Sequence, residues 1–121
     1  MSKIMRLRSS GEFRRVYSGG RRYDGHLLTA FVQPNGLAYH RLGITASRKA
    51  IGNAVERNRS KRLLRESFRL SETTLNALDT KYDWVLNAKR SLLRVRVESP
   101  LEEFQKIIAR VSIDERDRQA R

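Results

Sequence analysis

The sequence contains no cysteine, which removes disulfides, zinc knuckles and thiol catalysis together and fits a reducing cytosol. It has no long apolar run: the longest, around residues 27–32, is far too short to span a bilayer. Residues 1–6 lack the apolar core of a signal peptide. A soluble, cytoplasmic protein with no membrane partner is expected. Acidic residues are also scarce. Only 13 Asp and Glu stand against 26 Lys and Arg, which leaves a formal net charge of +13.

That imbalance repels itself in a folded chain and calls for a polyanionic partner. Arginine outnumbers lysine twenty to six. A guanidinium grips phosphate at two points and stacks on bases, whereas an ammonium acts as a point charge. Nucleic acid is therefore favoured over an anionic membrane. The 121 residues, 39% of them hydrophobic, suffice for one modest core rather than a disordered basic tail. A single domain over residues 1–121 is expected, with an ordered core of about 5–112 and frayed ends at 1–4 and 113–121.

Ser9-Ser10-Gly11-Glu12 reads as a capping box. Phe13, Val16 and Tyr17 follow at helical spacing and Gly19-Gly20 supplies a stop, so a first helix is predicted over 10–18. Residues 27–32 are β-prone and end at the turn residues Pro34-Asn35-Gly36. Residues 41–47 alternate, with Leu42, Ile44 and Ala46 on a core face and Gly43, Thr45 and Ser47 on a small, polar face suited to a groove floor. Asn53 with Glu56 opens a long helix to about Leu70, and residues 82–88 return to strand character. Ser99, Pro100 and Glu102 predict the cap, first turn and box glutamate of a last helix. A further strand is possible near residues 21–23.

The long helix carries the most information. With Arg57 at zero, Lys61 falls at about 40°, Arg65 at about 80°, Arg69 at about 120°, Arg62 at about 140° and Arg59 at about 200°. Leu63, Leu64 and Phe68 occupy roughly 240° to 20°. Five cations and no acid lie between Arg57 and Arg65. Like charges at i, i+4 destabilise a helix by tenths of a kcal/mol each. A solvated face usually mixes signs, as Glu98, Glu102, Glu103, Lys106 and Arg110 do. Here the signs are segregated, which points to phosphates rather than to solubility.

Ser47-Arg48-Lys49, Gly52-Asn53-Ala54-Val55, Arg57-Asn58-Arg59-Ser60-Lys61-Arg62 and Arg65-Glu66 resemble the RNR signature of the bacterial ribonuclease P protein family. Phe13-Arg14-Arg15-Val16-Tyr17, Arg41-Leu42-Gly43-Ile44 and Asp83-Trp84-Val85-Leu86 extend the resemblance over roughly residues 5 to 112. Two departures stand out: Ala50 lengthens the segment before Gly52 by one residue, and Ser60 replaces a usual aliphatic residue. The resemblance implies a single α/β sandwich of order α-β-β-β-α-β-α with a left-handed βαβ crossover, which periodicity cannot show. It implies an RNA-binding subunit that assists removal of the 5′ leader from precursor tRNA. The RNA subunit would hydrolyse the bond with Mg2+, and the protein alone would bind no cofactor and need no obligate protein partner.

By the same resemblance, Arg48, Lys49, Arg57, Asn58, Arg59, Lys61, Arg62 and Arg65 contact the catalytic RNA. Phe13, Tyr17 and Phe31, with Arg57, Lys61 and Arg65, form the leader cleft. The helical angles favour Arg59 and Arg62 for the catalytic RNA, being farthest from the apolar stripe. Aromatics at i, i+4 on a short helix are more often core, but Tyr17 tolerates a wet edge. Trp84 reads as core. His26 and His40 lack a metal-like spacing and read as surface or loop residues. Asp79 with Asp83, and Glu102 with Glu103, read as turn and outer-helix acids, so no metal site and no catalytic residue is expected in the protein. A ribosomal protein, a stand-alone endonuclease and a major-groove DNA reader are the competing readings. The last two lack, respectively, clustered carboxylates and a dimer seam with base-reading side chains.

Overall fold

Both capping boxes form. Ser9 Oγ accepts from the Glu12 amide at 3.2 Å, and the Glu12 carboxylate accepts from the Ser9 amide at 3.0 Å, opening α1 (Ser10–Gly19). Asn53 and Glu56 cap each other in the same way at α2 (Ala54–Leu70). Each box satisfies two amides that helix geometry leaves orphaned. The structure, a computed structural model, describes residues 3–120. Met1, Ser2 and Arg121, part of the ends expected to fray, lie outside the described residues.

The sheet is built from β1 (Met5–Arg6), β2 (Arg21–Asp24), β3 (Leu28–Pro34), β4 (Arg41–Thr45) and β5 (Tyr82–Ala88), in spatial order β1-β4-β5-β3-β2. The possible strand near 21–23 is β2. β2 and β3 pair antiparallel, as do β3 and β5, whereas β4 is parallel to both β1 and β5. Parallel neighbours need a crossover, and α2 with the short α3 (Glu72–Asn76) connects β4 to β5. A 3-10 segment (Arg90–Arg94) then leads to α4 (Glu98–Gln119). The sheet and helices make the α/β class expected, with three additions to the order. β1, α3 and the 3-10 segment span two to five residues, too few to carry a period.

Alternation assigns the two faces. Tyr82, Trp84 and Leu86 join Leu28, Ala30 and Leu42 in the main core, under Leu64 and Phe68 of α2 and Phe104 and Ile107 of α4. Trp84 is fully buried, its ring edge-on to Phe104 at 5.4 Å. On the other face Val16 of α1 packs with Val85 and Leu7, flanked by Phe13, Tyr17 and Phe31. Most described side chains of the sheet's second face therefore remain only partly covered.

The last helix departs from expectation at both ends. It starts at Glu98, with Val97 at the cap and no side-chain cap bond, so Ser99 does not cap and Glu102 closes no box. Pro100 still falls in the first turn, where a missing N–H costs nothing. At the other end residues 113–119 do not fray. Tyr23 donates its hydroxyl to Asp114, which also pairs with Arg21 at 3.2 Å. Glu115, 4% exposed, accepts from the Asp79 and Thr80 amides and from the Tyr82 hydroxyl. These partners come from distant segments, so charge composition alone suggested a loose end. At the other terminus Ile4, expected to fray, packs against the main core.

His40 is likewise buried rather than at the surface. Its Nδ1 accepts from the Tyr82 amide and the Trp84 indole N–H, both at 3.0 Å, so Nε2 carries the proton and donates to the Leu75 carbonyl. A second proton at Nδ1 would face two donors. Burial is the main cause that holds the ring's pKa below its ordinary 6.5. Stability is therefore full above pH 6.5 and declines as pH falls below it, because the unfolded chain takes up the proton first. A urea midpoint lower at pH 5 than at pH 7.5 is expected. His40→Asn should start less stable yet show a flatter pH dependence over that range.

Ser60, the departure on α2, is fully buried and its hydroxyl has no partner among the described residues. An unsatisfied buried hydroxyl costs about 1–3 kcal/mol. Ser60→Ala should raise the unfolding free energy by about 1 kcal/mol in urea titrations; a loss of stability would show that the hydroxyl is bonded.

Candidate nucleic-acid interface

The approach to α2 is held by a tight turn over residues 48–51. The Ile51 amide donates to the Ser47 carbonyl at 2.9 Å, and the Ala50 amide to Ser47 Oγ at 3.1 Å. Ile51 is buried beneath it, while Arg48, Lys49 and Ala50 are exposed. The extra residue at Ala50 is thus absorbed in the turn. Gly52 then adopts φ +123°, and a Cβ there would meet Glu56 Oε1 at 2.6 Å. Only glycine satisfies both demands, so the Gly52-Asn53 junction sets the direction in which α2 leaves the sheet.

Along α2, Asn58, Arg59 and Arg62 are exposed, whereas Arg57, Lys61 and Arg65 are half-buried. The buried line is Ser60, Leu64, Ser67 and Phe68, with Leu63 half-buried beside it. Arg57 lies on the continuation of that line, and its Nε is buried without a partner among the described residues. Among the described residues no carboxylate lies within ion-pair distance of Arg57, Arg59, Lys61, Arg62 or Arg65. Arg69, placed by its angle in the same arc, is different. It pairs with Glu66, so the unopposed run ends at Arg65. Arg59 is also partly engaged: Nη1 and Nη2 donate to the Leu93 and Val95 carbonyls at 3.0 and 3.1 Å.

The sheet edge explains how residues from opposite faces meet. β1 covers β4 only at Arg41 and Leu42. The Leu7 amide adds one bond to the Leu42 carbonyl, and among the described residues no strand pairs with that edge beyond it. A groove of about 220 Å³ opens there, lined by Arg6, Leu7, Phe13 and Gly43 together with Lys61 and Arg65. Phe13 of α1 lies against Gly43 so closely that a Cβ would come within 2.7 Å of the ring. The Gly43 position of the polar face is thus an aromatic seat.

Tyr17 and Phe31 continue the ledge, with ring centroids 4.8 Å apart and edge to face. The Tyr17 hydroxyl donates to Asn87 Oδ1 at 2.8 Å and shares a 2.9 Å bond with Thr45 Oγ1. Donation toward Asn87 leaves the Thr45 hydroxyl as donor to Tyr17. The guanidinium of Arg22 lies 5.7 Å from the Phe31 ring centroid. Sequence reasoning missed Arg6, Arg22 and Asn87. The β5 alternation places Asn87 on the face of Asp83 and Val85, but Arg22 becomes visible only in the register that sets it opposite Phe31.

Two acids differ from their reading in the sequence. Asp83 is buried on β5, not on a turn. Its carboxylate receives Arg41 Nε and Nη2 at 2.8 and 2.7 Å, and the Asn35 side-chain Nδ2 at 3.0 Å. Arg41 Nη1 reaches Glu12 at 2.8 Å, tying the first turn of α1 to the sheet. Amides of Arg8 and Ser9, then Arg41, pull the Glu12 carboxyl down to about 2. Glu103 is not simply an outer-helix acid either: it accepts from the His26, Leu27 and Leu28 amides at 2.7–2.9 Å. Among the described residues no group of three or more His, Cys, Asp or Glu is arranged to hold a metal ion.

Comparison with known proteins gives a consistent result. A family model described as ribonuclease P matches residues 1–112. The ribonuclease P protein component of Caldanaerobacter subterraneus subsp. tengcongensis is 35% identical over 113 residues, covering 93% of this chain and 94% of that one. That of Thermoanaerobacter pseudethanolicus is 31% identical over 92% of both chains. The structure is similar to that of the RNase P protein from Thermotoga maritima, with a TM-score of 0.75, 28% identity and coverage of 87% of this chain and 96% of that chain.

Arg41→Met would strand a carboxylate whose side chain is only 6% exposed. A loss of about 3–5 kcal/mol is expected in urea unfolding. The double variant Arg41→Met/Asp83→Leu should recover most of it, since removing both partners leaves no uncompensated charge.

Proposed function

The chain belongs to the ribonuclease P protein family, and from that premise we propose how its surface serves the ribonucleoprotein. It is the protein component of an RNA-based endoribonuclease and assists the RNA subunit in processing the 5′ leader of precursor tRNA. In our reading the outer side of α2, with Asn58 and Arg62, and the turn bearing Arg48 and Lys49 dock on the catalytic RNA, Arg59 serving that side through the two backbone carbonyls it holds. The groove over the open edge of β4 takes the single-stranded leader. Lys61 and Arg65 meet its phosphates, Arg57 reinforces the field at the helix start, and Phe13, Tyr17 and Phe31 offer ring faces and edges to unpaired bases. The observation that carries this reading is the meeting of Phe13 with Lys61 and Arg65 in one groove.

The physical basis is additive. Each phosphate neutralised releases counterions, and each stacked base contributes about 1–3 kcal/mol. The reading leaves hydrolysis and Mg2+ with the RNA subunit. The carboxylates nearest the groove, Glu12 and Asp83, are held by Arg41 and are poorly disposed to bind a cation. The protein's part is to bind and orient two RNAs at once, in the cytoplasm. Among the described residues no helix is long and apolar enough to cross a membrane.

Reconstitution tests the proposal. Added to a bacterial ribonuclease P RNA at low magnesium, the protein should restore cleavage of precursor tRNA; no stimulation would overturn it. Arg62→Ala should weaken binding of the catalytic RNA and flatten its log–log salt dependence by about one unit. Phe13→Ala should instead lower affinity for short single-stranded RNA by about tenfold, with the catalytic-RNA salt slope intact.

A further inference from the structure

Residues 93–96 carry a pattern that the RNR helix does not explain. Leu92 is fully buried, and Leu93 and Val95 pack against the main core. Arg94 and Arg96, interleaved with them, are exposed. The backbone between the 3-10 segment and α4 is therefore anchored by its apolar residues and presents its cations outward. Arg59 completes the anchoring. Its two terminal nitrogens straddle Arg94 by donating to the carbonyls on either side of it, Leu93 and Val95. Both carbonyls lie where the chain leaves a 3-10 turn, and a guanidinium fork fits two of them at once.

This arrangement places the backbone that carries Arg94 beside Arg59 of α2, with Arg96 two residues further along. Among the described residues neither has a carboxylate within ion-pair distance. Positive charge is thus brought up against positive charge on a rigid support, and an arginine of the RNR helix is used to hold it there. A merely solvated loop gains nothing from that repulsion. Cations fixed before binding lose less conformational freedom when phosphates arrive.

We propose that residues 93–96 form a second phosphate-binding rim for the folded RNA docked on α2, with Arg59 as its positioning residue. The proposal rests on the reading of α2 as the RNA-binding helix and adds to it. Arg94 and Arg96 contact phosphates of the same RNA, beyond the reach of the helix. Arg59 acts through them by fixing the backbone that carries them.

The test is the salt dependence of catalytic-RNA binding by the full-length protein, with backbone hydrogen exchange as a second readout. Arg94→Ser/Arg96→Ser changes only exposed side chains and should flatten the log–log slope by about two units. Arg59→Ala should speed exchange across residues 93–96 and flatten the slope. In the Arg94→Ser/Arg96→Ser background it should flatten it no further. An unchanged slope in the double variant overturns the rim. A further unit lost on adding Arg59→Ala overturns the positioning role and makes Arg59 a phosphate ligand. Arg62→Ala separates the two readings. If it flattens the slope while the double variant does not, only the rim fails; if neither does, the α2 interface fails with it.

Discussion

Six of the 13 carboxylates of this protein are committed to backbone amides or to arginines outside the unopposed run of α2, and the positive field of α2 depends on that commitment. Glu103 neutralises three amides before β3, and Glu115 two amides before β5 together with the Tyr82 hydroxyl. Asp83 holds Arg41, which holds Glu12. On α2 itself, Glu56 folds back onto the cap and Glu66 onto Arg69. Each acid thus stabilises a loop, a cap or an element junction, and among those described none screens Arg57 to Arg65. The net charge of +13 becomes a directed field because the counter-charges are fixed elsewhere.

The second constraint is the truncation of β1. A full-length edge strand would pair with β4 along its length and separate α1 from α2 by the thickness of a sheet. Two residues of β1 leave Gly43 to Thr45 uncovered. Phe13 can then lean over Gly43 from one face while Lys61 and Arg65 reach in from the other. Exposed strand edges invite aggregation, and proteins manage them with charge. Here the charge that guards the edge is also the charge that we propose binds phosphate. The Arg41 bridge keeps the start of α1, and so Phe13, at a fixed height above the strand.

The inner side of α2 shows what this design costs in stability. Serines 60 and 67 occupy buried positions, only Ser67 finding a partner, the Leu63 carbonyl at 2.8 Å. Arg57 Nε is also buried without one. The helix is held instead by Leu64, Phe68 and its contacts with α4, where Phe68 meets Phe104 at 5.8 Å between centroids. A helix so weakly apolar and so strongly cationic is one whose isolated stability is low. The docking on RNA proposed above would remove the repulsion that folding alone must tolerate.

Much of this was legible in local patterns. The cap pairs Ser9–Glu12 and Asn53–Glu56, the alternation of β4, the strand character of β5 and the segregated charge of α2 depend on residues within a few positions of one another. They act in any context that lets the segment form. The same holds for Trp84 as core and for Arg59 and Arg62 as outward cations. What composition could not resolve were pairings across long separations. Asp83 with Arg41, Glu103 with the amides before β3, His40 with Trp84, and Asp114 with Tyr23 each join residues tens of positions apart. Only the closed sheet decides whether such a group is buried, because desolvation and hydrogen bonding are properties of the neighbours that topology delivers. The short β1 and the register of β2 on β3 are of the same kind. By itself the sequence determined that one helix concentrates unopposed positive charge; the tertiary structure decided that an aromatic ledge lies across an open strand edge from it, since sheet order, not local spacing, brings opposite faces together.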